Sequence, residues 1–96
     1  MQYSPLTSIT PSGLYKNFTS SNLVKTGAGV VVGVIVNSHS GGTLKLWDNT
    51  SAATTVLINT FSFPTGSGSY SLFGARFLTG LYATVGNTAD ITLIYN

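Results

Sequence analysis

The sequence predicts an all-β domain: a jelly-roll-like β-sandwich of about eight short antiparallel strands, preceded by an extended N-terminal arm. Three observations predict it. Clusters of Gly, Ser, Asn and Pro recur roughly every ten residues, the spacing of turns between short strands. The segments between them are rich in Val, Ile, Thr and aromatic side chains, and several alternate apolar with polar. No segment carries the period of an amphipathic helix. A sandwich and a small barrel both fit this pattern, and short strands with Gly-rich corners favour two packed sheets.

Residues 1–13 read as an arm. Pro5 and Pro11 remove backbone donors, Ser and Thr fill most gaps, and only Tyr3, Leu6 and Ile9 stand out as apolar. A disordered tail and an arm that orders on a neighbouring subunit are both open. Residues 14–96 form the single sandwich domain. Leu14 to Phe18 starts it, Ser20-Ser21-Asn22 is a turn, and Leu23 to Lys25 is a short strand stopped by Thr26-Gly27. The run from Ala28 to Asn37 is the most apolar. Its weak alternation predicts a central strand covered on both faces, with Gly33 marking a bulge or a close backbone approach. Ser38-His39-Ser40-Gly41-Gly42 reads as a turn. In Thr43–Asp48, Leu44 and Leu46 oppose Thr43, Lys45 and Trp47, the two-residue period of a strand with one buried face. Asp48 to Ser51 supplies turn formers, and Thr54 to Phe63 is the next strand, ended by the Pro64–Gly68 breakers. Ser69–Phe73, broken by Gly74, then Leu81–Val85, the turn Gly86-Asn87-Thr88, and Asp90–Tyr95 complete the chain. Phe61, Phe63, Phe73 and Phe77 are core candidates.

A 96-residue chain makes one domain with a thin core, so partners add to its stability. Disorder is excluded because 43% of the chain is hydrophobic. Only six residues carry formal charge: Lys16, Lys25, Lys45, Arg76, Asp48 and Asp90. So few charges suit a protein packed against other subunits better than a free monomer. Four scattered cations make no basic stripe, which argues against nucleic acid. Without cysteine there is neither a disulfide framework nor a thiolate metal site. The N-terminal residues lack the basic and apolar regions of a signal peptide, and the Ala28–Val36 run is too short to span a bilayer.

Chemistry is sparse. A nucleophile–base pair would have to use His39, the single histidine, which reads as a solvent-exposed turn residue. Asp48 fits local turn bonding and Asp90 a strand start, so a pair of catalytic carboxylates is not expected. Too few side chains remain to hold a metal, and neither Gly-rich segment opens a helix that could cradle phosphate. Asn17-Phe18-Thr19 and Asn49-Thr50-Ser51 match the glycosylation sequon, a chance match in so Asn- and Thr-rich a chain. The chain is thus expected to be no enzyme and to need no cofactor. Trp47 is the side chain with most to offer. Core packing, a subunit interface and a sugar-stacking platform all remain open for it.

The segments GGTLKLWDNTSA, VLINTFSFPTGSGSY and GLYATVGNTADITLIYN resemble small structural proteins of tailed bacteriophages. The likeness covers residues 30–96 and rests on a strand ending in LWDN, the corner TFSFP, the strand GLYATVG and the terminal strand. The resemblance implies a virion component, made in the host cytoplasm and placed on the capsid exterior. Such proteins act as decoration or cement proteins, often as homotrimers, and brace neighbouring copies of the major capsid protein. With Tyr3, Leu6 and Ile9 of the arm, Trp47 is then a candidate subunit-interface residue; no membrane and no direct nucleic-acid partner is implied. Similar sandwiches also serve as head-fibre, tail or baseplate modules, and a carbohydrate-binding module using Trp47 is the alternative outside the virion.

Overall fold

A computed structural model describes residues 14–64 and 66–96; the side chains of residues 69–73 are not among those described. The arm, with Tyr3, Leu6 and Ile9, and the placement of Phe73 therefore lie outside the described residues. Six strands form one antiparallel sheet: β1 (Leu14–Phe18), β2 (Asn22–Thr26), β3 (Gly29–Trp47), β4 (Val56–Ser62), β5 (Gly68–Phe77) and β6 (Gly80–Tyr95). The long strands β3 and β6 pair along nearly their whole length and occupy the centre. The other four flank them. β1 and β2 both pair with β6, and β4 and β5 both pair with β3.

The sheet therefore has two limbs that share the central pair. In limb one, β1 lies against Ile91–Tyr95 of β6, and β5 against Gly29–Val36 of β3. In limb two, β2 lies against Gly80–Ala83 of β6, and β4 against Thr43–Trp47 of β3.

Among the described residues the expected eight strands are six, because two expected turns lie inside strands. Ser38–Gly42 is part of β3, and Gly86–Thr88 is part of β6. The turn formers are real but act as a bend in two paired strands. Gly41 and Asn87 both hold left-handed backbone, with φ of 62° and 57°. The Asn87 amide donates to the Gly41 carbonyl at 2.8 Å, tying the two strands together where they bend. Glycine and asparagine adopt this backbone at little cost. Gly74 likewise bends β5 (φ 65°) without ending it.

Bulges drive the curvature. From Val31 to Trp47, β3 runs against only Tyr82 to Tyr95 of β6, so it carries three more residues than its partner. The register shifts fall between Val31 and Gly33, Val36 and Ser38, and Ser40 and Thr43. Each extra residue on one strand adds bend and twist. The first shift falls at Val32, next to Gly33, where the sequence predicts a bulge or a close backbone approach.

One hydrophobic core runs beneath both limbs. Val31, Val34, Val36, Leu44 and Leu46 of β3 join Leu81, Ala83, Ala89, Ile91 and Leu93 of β6, with Phe18, Val24, Phe63 and Phe77 from flanking segments. Leu44 and Leu46 are fully buried, as their alternation predicts, and each such side chain contributes about 1.5–3 kcal/mol by leaving water. Phe61 packs against this cluster and is only partly buried. The expectation that Ala28–Asn37 is covered on both faces is corrected. Val31, Val34 and Val36 are buried, but Val32 and Ile35 stand exposed on the opposite face. The Val32 bulge breaks the two-residue alternation there, so the apolar run resembled a doubly covered strand.

Candidate interaction surface

The outer face of limb two carries a continuous apolar row. Leu23 of β2 pairs with Tyr82 of β6, Tyr82 with Trp47 of β3, and Trp47 with Val56 of β4. Directly paired residues share a face, so the four side chains form one band across the four strands. Leu23 and Val56 are exposed, while Trp47 and Tyr82 are half-buried. Trp47 therefore lies outside the core, opposite Leu44 and Leu46. Its indole Nε1–H donates to Thr84 Oγ1 at 2.8 Å, and the Lys45 ammonium sits 4.2 Å from the ring centroid. This fixes the ring plane and covers part of it with a cation–π contact.

Among the described side chains limb one has no such row. Asn17, Asp90, Thr92 and Asn37 make a polar ladder across β1, β6 and β3. The Asn17 amide donates to Asp90 Oδ1 at 2.8 Å, to the Ile91 carbonyl at 2.8 Å and to Thr92 Oγ1 at 3.2 Å. The Asn37 amide donates to Asp90 Oδ1 at 3.3 Å and to Thr92 Oγ1 at 3.2 Å. Tyr15, Val32 and Ile35 are exposed here too. They do not line up: the row holding Tyr15 and Ile94 is interrupted by Gly33, and Ile35 stands opposite Thr92. A shallow depression of about 380 Å³ beside Ile35 is lined, among the described residues, also by Val36, Asn37, Ser67 and Gly68, none of them charged.

The residues singled out for chemistry are spoken for by the fold. Asp48 was expected to bond its own turn; instead it clamps the β5–β6 turn, about thirty residues away. Its Oδ1 accepts from Leu78 N–H at 3.0 Å, Thr79 N–H at 2.8 Å and Gly80 N–H at 3.4 Å. The Thr79 N–H above all holds the carboxyl below its ordinary value; desolvation opposes this, and the Leu78 and Gly80 N–H groups add to it. Asp90 lies inside β6 within the polar ladder, so the two carboxylates are held in different networks.

His39 is a second correction, since it is half-buried in β3 and not a free turn residue. The bulge before Ser38 places it opposite buried Ala89, where its ring meets Phe63 edge-on with centroids 5.5 Å apart. Nδ1 accepts from Gly42 N–H at 3.1 Å, which leaves Nε2–H to donate to the Pro64 carbonyl. Gly42 is buried beside it, and a Cβ there would lie 3.0 Å from the Ala89 Cβ. The histidine thus pins the bend in β3 to the end of the β4 segment.

Among the described residues no three His, Cys, Asp or Glu side chains gather as metal ligands, and no helix is long and apolar enough to cross a membrane. No buried side-chain nitrogen or oxygen among them lacks a partner. Of the sequence-predicted interface residues, only Trp47 falls among the described residues. Leu23, Tyr82 and Val56 escaped sequence reasoning because their alignment with Trp47 depends on strand pairing. Their only local signal is an apolar residue on the face away from the core. No protein-family model, curated protein or solved structure matches the chain.

Proposed function

We propose that the chain is a structural component of a phage virion, a decoration or cement protein that braces major capsid subunits by burying its outer surface against them. The observation that carries this reading is the row Leu23–Tyr82–Trp47–Val56. It is an aromatic-centred apolar band on the solvent face of a chain with only six charged residues. Aromatic anchors with few charges around them are the usual composition of an interface centre. The resemblance of residues 30–96 to small structural proteins of tailed phages supplies the context. The architecture in this reading is the bent sheet closed on itself as a jelly-roll-like sandwich, with a homotrimer as the assembled unit on the capsid exterior.

The mechanism is additive. Each copy removes apolar area from water at about 25 cal/mol per Å², less the cost of association. Many symmetric copies then resist rupture because several contacts must break together. Sugar binding through Trp47 takes second place, because Lys45 and Thr84 already engage the ring face and the N–H that a sugar would use. The test is the mass of the isolated chain in solution together with its abundance in purified particles. A trimer that co-purifies with particles supports the reading. A monomer absent from particles overturns it.

A further inference from the structure

We propose that the apolar row of limb two is the docking site for residues 3–9 of a second copy of this chain, so that copies join head to tail by exchanging arms. The proposal deepens the virion reading by naming a second copy of this chain as the neighbour that covers the row. The two fail separately: a chain that does not associate through its arm sinks this proposal, whereas particles that lack the chain sink the virion reading. Three observations carry it. First, the row is preformed. Leu23, Tyr82, Trp47 and Val56 occupy adjacent strands, so alternate members (Val56 and Tyr82, Trp47 and Leu23) stand roughly 9–10 Å apart at ordinary strand spacing. Second, the arm has the matching period. Tyr3, Leu6 and Ile9 recur at every third residue around Pro5 and before Pro11. A polyproline II segment has three residues per turn and rises about 3.1 Å per residue, so it would present these side chains on one face about 9.3 Å apart, and two successive ones match alternate members of the row. An apolar polyproline segment laid across aromatic side chains is a recurrent recognition mode.

Third, the arm starts in the wrong place to reach its own row. Leu14 pairs with Tyr95, at the far end of β6 from Tyr82 and on the other limb. Five Cα–Cα steps lead from Leu14 to Ile9 and span at most about 18 Å. Along bent β6 the path from Tyr95 back to Tyr82 is at most about 43 Å, and β1 runs from Leu14 toward the row, so the residues before Leu14 are on the far side of β1 from it in the chain. A neighbouring copy meets no such limit. The few charges nearby do not oppose this docking. Lys45, the cation beside the row, faces an arm without an acidic or basic side chain.

The surfaces on the two partners differ, so the interface is heterologous and closes into a ring when the rotation allows. That gives a decisive experiment with full-length chains. Leu6→Asp spoils the arm and leaves the row; Leu23→Asp spoils the row and leaves the arm. Sedimentation velocity reads association, and the emission of Trp47, the only tryptophan, reads the row itself. Wild type is expected to associate with a blue shift of Trp47 emission as concentration rises. Each variant alone is expected to stay monomeric, with at least a tenfold weaker association constant. An equimolar mixture is expected to recover a heterodimer, through the intact arm of one chain and the intact row of the other, and to recover the blue shift. Circular dichroism and cooperative melting of each variant separate lost docking from lost folding, and Ile9→Asp and Val56→Asp replace a variant that fails to fold. Association that survives Leu6→Asp overturns the proposal, and so does a mixture that stays monomeric. A blue shift in wild type at every concentration without association also overturns it, since the arm would then dock on its own chain.

Discussion

The two limbs share one backbone pair and one core, yet their outer faces solve different problems. Limb one carries on its solvent face a ladder of side chains that satisfy one another, with its exposed apolar residues scattered around it: the Asn17 and Asn37 amides both reach Asp90 and Thr92. Limb two closes its rim through the backbone, with the Asp48 carboxylate on the N–H groups of the β5–β6 turn, and leaves an apolar row uncovered. Buried area decides the inside of both limbs alike. What distinguishes them is whether the outer groups already have partners. A self-satisfied polar ladder gains little from a neighbour, whereas an aromatic row with exposed ends gains by leaving water.

The sharpest way to break this comparison is to strike the shared core. Leu46→Ala in limb two and Leu93→Ala in limb one each empty a fully buried position and should cost about 2–5 kcal/mol. Because one cluster runs beneath both limbs, each substitution should lower a single urea transition seen alike by far-UV circular dichroism and by Trp47 emission. Two separated transitions would mean that the limbs fold independently.

A smaller loss is expected where limb one closes on the chain's last residue. Val30 and Asn96 exchange backbone hydrogen bonds of 3.0 and 2.8 Å. A Cβ on Gly29 would collide with the Asn96 carbonyl oxygen and lie 2.7 Å from the Phe77 ring. Gly29→Ala should cost about 1–3 kcal/mol through the forced shift, read as a lower urea midpoint with an unchanged slope.

Next comes the Asp48 clamp. Asp48→Ala should cost about 1–2 kcal/mol, the lower part of the range for charged hydrogen bonds because the carboxylate is partly solvated. Its pH dependence has a definite sign. The folded-state pKa lies below the ordinary 3.8, so the contribution is fully present above that value and is lost as pH falls through the lower folded value. Between neutral pH and pH 5 the wild type should lose nothing from this group. Below about pH 4 its melting temperature should fall more steeply than that of Asp48→Asn. Parallel curves would remove the clamp from the account.

The smallest effect is expected in the polar ladder. Asn37→Ala removes two long bonds at an exposed position and should change stability by about 0.5 kcal/mol or less, measured by the same urea titration. A loss as large as that of Asp48→Ala would mean that limb one depends on its outer face as much as limb two depends on its clamp.

These contrasts also mark what the sequence could reveal. The alternation of Leu44 and Leu46 is a local, two-residue signal and marks both as core, whereas for Trp47 it leaves core and surface open until the strand pairing is known. Gly33 was legible as an irregularity because glycine inside an apolar run has few other uses. The bends at Ser38–Gly42 and Gly86–Thr88 were legible as turns but not as turns within continuous strands, since that depends on two distant segments bending together. His39 was misread for a related reason: a bulge at its own strand reversed its facing. The partner of Asp48 was out of reach, because its acceptor role is fixed by a turn thirty residues on. Tyr82 and Leu23 joined Trp47 only through strand pairing, which no single segment encodes.

In the proposed role the apolar row of limb two is an assembly surface in a virion. A cryo-electron microscopy map of purified particles with this chain traced in it tests that most directly. In that role the fold is expected at symmetry-related positions on the capsid exterior, with Leu23, Tyr82, Trp47 and Val56 covered by a neighbouring subunit. Particles that lack the chain, or that hold it with this row open to solvent, would contradict it.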